Sequence, residues 1–244
     1  QLVHPKTTFL VNCNSPEDIG VENYKKLVSN LDILYKQYYM KNRINLGINL
    51  YDMEKDYTYI IELLKRYCLH KLRISITVPD FSKCNNIDII DYFRSKKKFI
   101  LRFLEDMDAI HVVPYYDCNK PPMCIWTDDE TEWIKNYVCK YTTEESTLYG
   151  SHSFCQPVID ILPDLTAVRC FGMSDFKKVR IADFKNISDV RYYFIGLIDE
   201  CAYKLPASPV CIDCYERKIQ KCSAGCMGFK SNKIKEINQV IFNQ

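Results

Sequence analysis

Cys211, Cys214, Cys222 and Cys226 crowd one loop-like segment, CIDCYERKIQKCSAGC, and Cys155 and Cys170 lie on either side of an expected hairpin turn. Thiolates at such spacings converge on a metal, because CxxC sets two sulfurs on one tight turn with little chain entropy left to lose. Two residues separate Cys211 from Cys214, seven separate Cys214 from Cys222, and three separate Cys222 from Cys226, with Gly225 easing the turn. Zinc and iron–sulfur both accept four thiolates, so the array alone is compatible with a structural zinc knuckle or with a cluster. Cys13, Cys68, Cys139 and Cys201 fall within or beside strand and helix patterns and read as core or surface residues without a role, since free cysteine packs as a small hydrophobe.

Other chemistry is weakly signalled. The four histidines show no HExxH or HxH spacing, and Ser151, His152 and Ser153 have no nucleophile-elbow context. Asp128, Asp129 and Glu130 read as a helix start rather than a carboxylate dyad, and His111, between apolar strand residues, as a core imidazole. Only 7 glycines occur, with no GxGxxG or Walker-type pattern, which argues against a phosphate loop.

The elements that would carry the thiols follow from patterning. From Thr7 to about Tyr116 strands alternate with helices: strands over 8–12, 44–51, 72–78 and 109–115, helices from Ser15 onward and over 57–68 and 87–104. Such alternation predicts parallel βαβ units, with reactive residues at the C-terminal strand ends, here Asn12, Asn49, Tyr51, Thr77 and Tyr116–Asp117. After Pro121–Pro122 the pattern changes to a helix over 127–138 capped by Thr127, a polar stretch over 141–152, and a hairpin of 158–162 with 166–171. A helix over 188–204, the cysteine loop and a basic helix from Ser231 complete the chain. The fold class is thus α/β, with domains expected at 1–125 and 126–244.

At 244 residues the chain can bury a sizeable core. Its 33 Lys plus Arg against 31 Asp plus Glu give no electrostatic argument for nucleic acid or an anionic membrane surface. No apolar run approaches the roughly 20 residues of a membrane span, and no signal peptide is visible. Thirteen cysteines in a chain this long do not suggest a secreted disulfide scaffold, so a reducing cytoplasm is expected. The start at Gln1, without Met, just before a strand, reads as a trimmed or partial chain.

The text around the thiols carries a resemblance. PDLTAVRCF resembles the PDGxxxxC element of SPASM domains, with Leu165 where that family places Gly, and Cys155 stands where the first cysteine of that element is expected. CIDCYERKIQKCSAGC is similar to the second half, Cx2Cx5Cx3C, with two extra residues in the middle gap. Upstream, the βα units, LGINLY, LRISITVPD and YDCNKPPMC look like the later part of the partial (β/α) TIM-type barrel of a radical S-adenosylmethionine (radical SAM) enzyme. The resemblance covers nearly the whole chain.

It implies that Cys155, Cys170 and Cys226 hold one auxiliary 4Fe-4S cluster and Cys211, Cys214 and Cys222 a second. Each is one family ligand short, to be made up by sharing one cluster, by a ligand such as Cys201, or by one beyond Gln244. It places Arg73 near the carboxylate of S-adenosyl-L-methionine, against the simpler reading of a strand arginine reaching solvent or a helix acid. Asn49, with Asn12 and Thr77, would bond that cofactor or substrate, or simply end a strand. Cys118 and Cys124 read as loop thiols, with substrate or cluster contact as the alternative. The implied chemistry is reductive SAM cleavage and hydrogen abstraction from a peptide or protein, with an electron donor such as flavodoxin or ferredoxin as partner. The catalytic CxxxCxxC does not occur in these residues, so the chain would be the C-terminal part of such an enzyme and inactive alone. The alternative is a non-catalytic module with a structural four-cysteine zinc or a single iron–sulfur site.

Overall fold

Four strands pair side by side in chain order, all parallel: β1 (Phe9–Asn12), β2 (Ile44–Leu50), β3 (Lys71–Ile76) and β4 (Val113–Tyr116). The computed structural model describes residues 7–37, 41–80, 87–116, 119–141, 158–223 and 225–242. Its contacts divide the chain into two units. The first is Gln1–Thr77, Lys96–Lys120 and Trp126–Gly150; the second is Val78–Ser95, Pro121–Ile125 and Ser151–Gln244.

In the first unit the strand order β1-β2-β3-β4 moves one way only. With the right-handed crossovers that parallel units adopt, such an order directs the connecting helices to one face of the sheet. Burial alternates accordingly. Ile44, Leu46, Ile48, Leu50, Leu72, Ile74 and Ile76 point one way and are buried, while Asn12 and Asn49, on the opposite face, are exposed.

The covering helices are locally specified. The Ser15 hydroxyl accepts from Asp18 N–H and the Asp18 carboxylate accepts from Ser15 N–H, a capping box that starts α1 (Pro16–Ile19). Gly20, at φ 81°, separates α1 from α2 (Val21–Asp32). In α3 (Thr58–Arg66) the buried residues Ile60, Leu63 and Leu64, continued by Tyr67, recur at helical spacing. α3 is tied to α2 where Arg66 Nη2 meets Asp32 Oδ2 at 2.6 Å and the Tyr67 hydroxyl donates to Asp32 at 3.0 Å.

α4 runs over Ile89–Ala109, five residues beyond the expected end, carried on by Phe103, Leu104 and Met107, all buried. The chain then turns through His111 at φ 57°, so β4 begins at Val113 rather than 109. His111 is exposed, its Nδ1 2.8 Å from the Tyr141 hydroxyl, and is not a core imidazole.

α5 (Asp128–Cys139) starts on the expected Thr127 cap, which with Glu130 closes into a capping box. It belongs to the first unit and not to the domain expected from residue 126, because Ile134, Tyr137 and Val138 are buried and the Tyr137 hydroxyl bonds the Val112 carbonyl. The polar stretch over 142–152 lies outside the described residues.

In the second unit, β5 (Asp160–Ile161) and β6 (Thr166–Val168) form the expected antiparallel hairpin, and β7 (Val179–Arg180) adds to the β6 edge. The connecting turn places Leu165 in the left-handed region, φ 60°. The expected helix over 188–204 is α6 (Ile187–Phe194), a π-helical stretch (Ile195–Asp199) and α7 (Glu200–Lys204). α8 (Tyr215–Lys218) lies inside the cysteine loop, and α9 (Ser231–Phe242) is the expected final helix. Ala167, Met173, Val190, Phe194, Ile198, Ala202, Met227 and Ile234 form the core of this unit. No helix among the described residues is long and apolar enough to cross a membrane.

Candidate metal centre

The cysteine loop is held at both ends by backbone and by cations. Ile89 N–H donates to the Ala207 carbonyl at its start. Arg217 Nη2 donates to the Lys204 carbonyl at 2.7 Å and Nη1 to that of Ile212 at 3.3 Å, folding α8 back on the loop. Cys222 N–H donates to the Glu216 carbonyl at 3.1 Å. Buried Lys230 then donates from Nζ to the carbonyls of Ala202 (2.8 Å) and Ser223 (2.6 Å), pinning the loop's return to α7.

The turn between Cys222 and Cys226 depends on Gly225. It sits at φ 104°, and a Cβ there would lie 2.7 Å from Ile89 Cδ1 and 2.8 Å from Ala207 Cβ. Only glycine meets both demands.

The cysteines of this unit sit on two kinds of position. Cys170 caps the turn Phe171–Met173 and Cys226 caps the turn Met227–Lys230. Those two turns pack against each other, with Met173 and Met227 in one core. Cys155, the third thiol expected with them, lies outside the described residues.

Cys211, Cys214 and Cys222 lie on the loop itself. Burial, then the charges of Cys124, Cys222, Cys214 and Asp88, push the Cys211 thiol up to about 11. Cys124 is raised in turn, first by desolvation and then by Cys222 and Cys214.

No three His, Cys, Asp or Glu side chains among the described residues are already gathered as a metal-ligand set. Thiols suit a thiophilic metal or cluster in kind, but those described here would have to draw together to hold one. The remaining thiols among the described residues are elsewhere, and Cys118 lies outside the described residues. Cys13 is buried and pushed up to about 12 by desolvation, Cys68 and Cys139 are exposed, and Cys201 packs against the second unit's core.

In the first unit, the two residues expected to contact a cofactor meet each other. Arg73 Nη1 donates to Asn49 Oδ1 at 3.1 Å on the polar face of the sheet. Asn12, Gly47 and Arg73 stand in register across β1, β2 and β3. A Cβ on Gly47 would lie 3.1 Å from both Arg73 Cδ and Asn12 Oδ1, so glycine lets the arginine lie across the strand.

Beside Cys222 a cleft of about 640 Å³ is lined by Glu200, Tyr203, Lys204, Arg217 and Lys218. Compared with known proteins, the chain matches no family model, and searches of the curated proteins and of the solved structures return no significant match.

Proposed function

We propose that the chain is a radical SAM-type protein: a partial-barrel sheet joined to a SPASM-type unit whose thiolates hold auxiliary iron–sulfur. The observation that carries the reading is the partition of the thiols. Cys170 and Cys226 precede two turns in mutual contact, while Cys211, Cys214 and Cys222 follow one another on the loop that Arg217 and Lys230 hold. The resemblance assigns Cys170 and Cys226, with Cys155, to one cluster and Cys211, Cys214 and Cys222 to another.

Two further features support it. Leu165 occupies the left-handed position at which the PDGxxxxC element has glycine. A singly wound parallel sheet with one polar, exposed face also suits a barrel interior, whereas ordinary parallel sheets are covered on both faces. On that face Arg73, oriented by Asn49, offers a cation to the carboxylate of S-adenosylmethionine. No residue here is assigned the SAM-cleaving step, because CxxxCxxC is not among these residues.

When bound, an auxiliary cluster supplies an electron acceptor or an open iron for a substrate. The chain's own contribution is to hold it against the cleft beside Cys222, where Tyr203 and the Lys204 and Lys218 cations suit a peptide with acidic groups. Flavodoxin or ferredoxin would be the electron-donor partner, and the cytoplasm the compartment that keeps the thiols reduced.

Anaerobic reconstitution with ferrous iron and sulfide tests the reading. Brown protein with visible charge-transfer absorption and acid-labile sulfide is expected. A colourless protein that takes up stoichiometric zinc would replace it with a non-catalytic structural zinc module.

A further inference from the structure

We propose that the second unit binds a free α-amino acid with an apolar side chain, in a cleft between the turn after Cys170 and the first turns of α9. The site uses no cysteine thiol, so it stands or falls apart from the thiolate–metal reading.

The cleft has a volume of about 190 Å³ and is built from three stretches of that unit: the segment from Val78 to Asp80, the turn begun by Phe171, and α9 through Ser231 and Lys235. Val78, Phe171 and Met173 make its apolar wall. The turn closes on Val78, since a Cβ added to Gly172 would lie 3.6 Å from Val78 Cγ2. Phe171 is 67% exposed and leaves apolar surface for a ligand to cover.

Ser231 points to that ligand. The residue is 4% exposed, and its hydroxyl has no hydrogen-bond partner among the described residues. A helical serine ordinarily turns its hydroxyl back to the carbonyl of the preceding turn or out to solvent, and this one does neither. Its own N–H is already used, on the Gly228 carbonyl. A buried hydroxyl is costly to leave unpaired, and the group that pairs with this one comes from the cleft that Ser231 lines.

Lys235 follows Ser231 by one helical turn, so both lie on one face of α9. The N-terminal end of that helix adds partial positive charge beside them. Neither Lys235 nor Asp175, which also lines the cleft, has an ion pair among the described residues. A simple anion here would meet the Asp175 and Asp80 carboxylates, and a simple amine would meet the Lys235 ammonium. A zwitterion answers both charges. Its carboxylate accepts from the Ser231 hydroxyl and Lys235 Nζ, its ammonium faces the aspartates, and its side chain lies on Phe171 and Met173.

L-Leucine is titrated into the full-length chain by isothermal calorimetry, beside L-leucine methyl ester, which lacks the carboxylate, and N-acetyl-L-leucine, which lacks the ammonium. L-Leucine should bind saturably with Kd below about 1 mM, and each derivative at least about tenfold more weakly. Ser231→Ala and Lys235→Met should each weaken L-leucine binding about tenfold. Ser231→Ala should do so with a thermal midpoint at or above that of wild type, because its hydroxyl has no bond to lose. No saturable L-leucine binding, a derivative that binds as tightly as L-leucine, or affinity unchanged in both variants would overturn the proposal. A lowered Ser231→Ala midpoint would also overturn it, by giving the hydroxyl a structural partner.

Discussion

Arg169 and Asp199 form a two-pronged ion pair in the interior of the second unit, Nε to Oδ2 at 2.8 Å and Nη2 to Oδ1 at 2.6 Å, each side chain 1% exposed. Arg169 directly precedes Cys170, and Asp199 ends the π-helical stretch between α6 and α7. The remaining Arg169 arm donates from Nη1 to the Val158 carbonyl at 3.1 Å. The pair thus fixes where the hairpin's cysteine leaves the sheet. Removing one partner strands a buried charge, so Asp199→Leu should cost about 3–5 kcal/mol. The double variant Arg169→Met/Asp199→Leu should recover much of that loss. Urea midpoints of the three proteins decide it, and equal losses in the single and double variants would refute the argument.

Leu165 stores strain that glycine would release. A left-handed backbone costs an L-residue roughly 1–2 kcal/mol, and the extra freedom of unfolded glycine takes back roughly half. The side chain is exposed, so little burial is lost. Leu165→Gly should therefore stabilise the chain by about 0.5–1 kcal/mol. Leu165→Val, β-branched at φ 60°, should destabilise it. Thermal midpoints moving in the same direction for both variants would contradict the strain account.

What could be read beforehand was mostly local. Ser15 and Thr127 were legible as helix caps, and in the structure each closes into a capping box with the acidic residue at the third helical position. The hairpin across Pro163–Asp164 and the spacing of Cys211, Cys214, Cys222 and Cys226 are local as well. The run AIHVVPY misled because a short apolar stretch fits a helix end or a strand equally well, and the turn at His111 divides it between both. The placement of α5 depends on the Tyr137 bond to Val112, which leaves no periodic trace. The π-helical residues 195–199 likewise look like ordinary helix in sequence.

Gly225 sets the geometry of the cysteine loop. An alanine there must push against Ile89 and Ala207 while adopting φ 104°. Both effects act together, and Gly225→Ala should lose about 1–3 kcal/mol. Because the turn joins Cys222 to Cys226, the same variant should bind zinc more weakly than wild type at matched temperature well below its midpoint. A destabilised variant with unchanged zinc affinity would place the glycine's role in packing alone.

Lys230 makes the metal-free protein's stability depend on alkaline pH. Its ammonium is 1% exposed, and burial pushes its pKa down to about 8. The charges of Cys226, Cys222 and Cys211 oppose that shift and Arg217 adds to it. Below about pH 8 the lysine is charged both folded and unfolded, and the full cost of burying the charge is present. Between there and the ordinary lysine value of about 10.4, the unfolded chain holds a proton that the native chain has released. The unfolded state then binds more protons, so this contribution makes stability rise with pH, by roughly 3 kcal/mol over the window. Cys211, raised to about 11, acts the opposite way, since the unfolded thiol ionises first. The lysine is therefore isolated by comparing wild type with Lys230→Met in urea across the window. The stability difference should grow in favour of wild type as pH rises, because the uncharged amine still donates to the Ala202 and Ser223 carbonyls that methionine leaves without that donor. A difference that stays flat with pH would mean that Lys230 does not change protonation there.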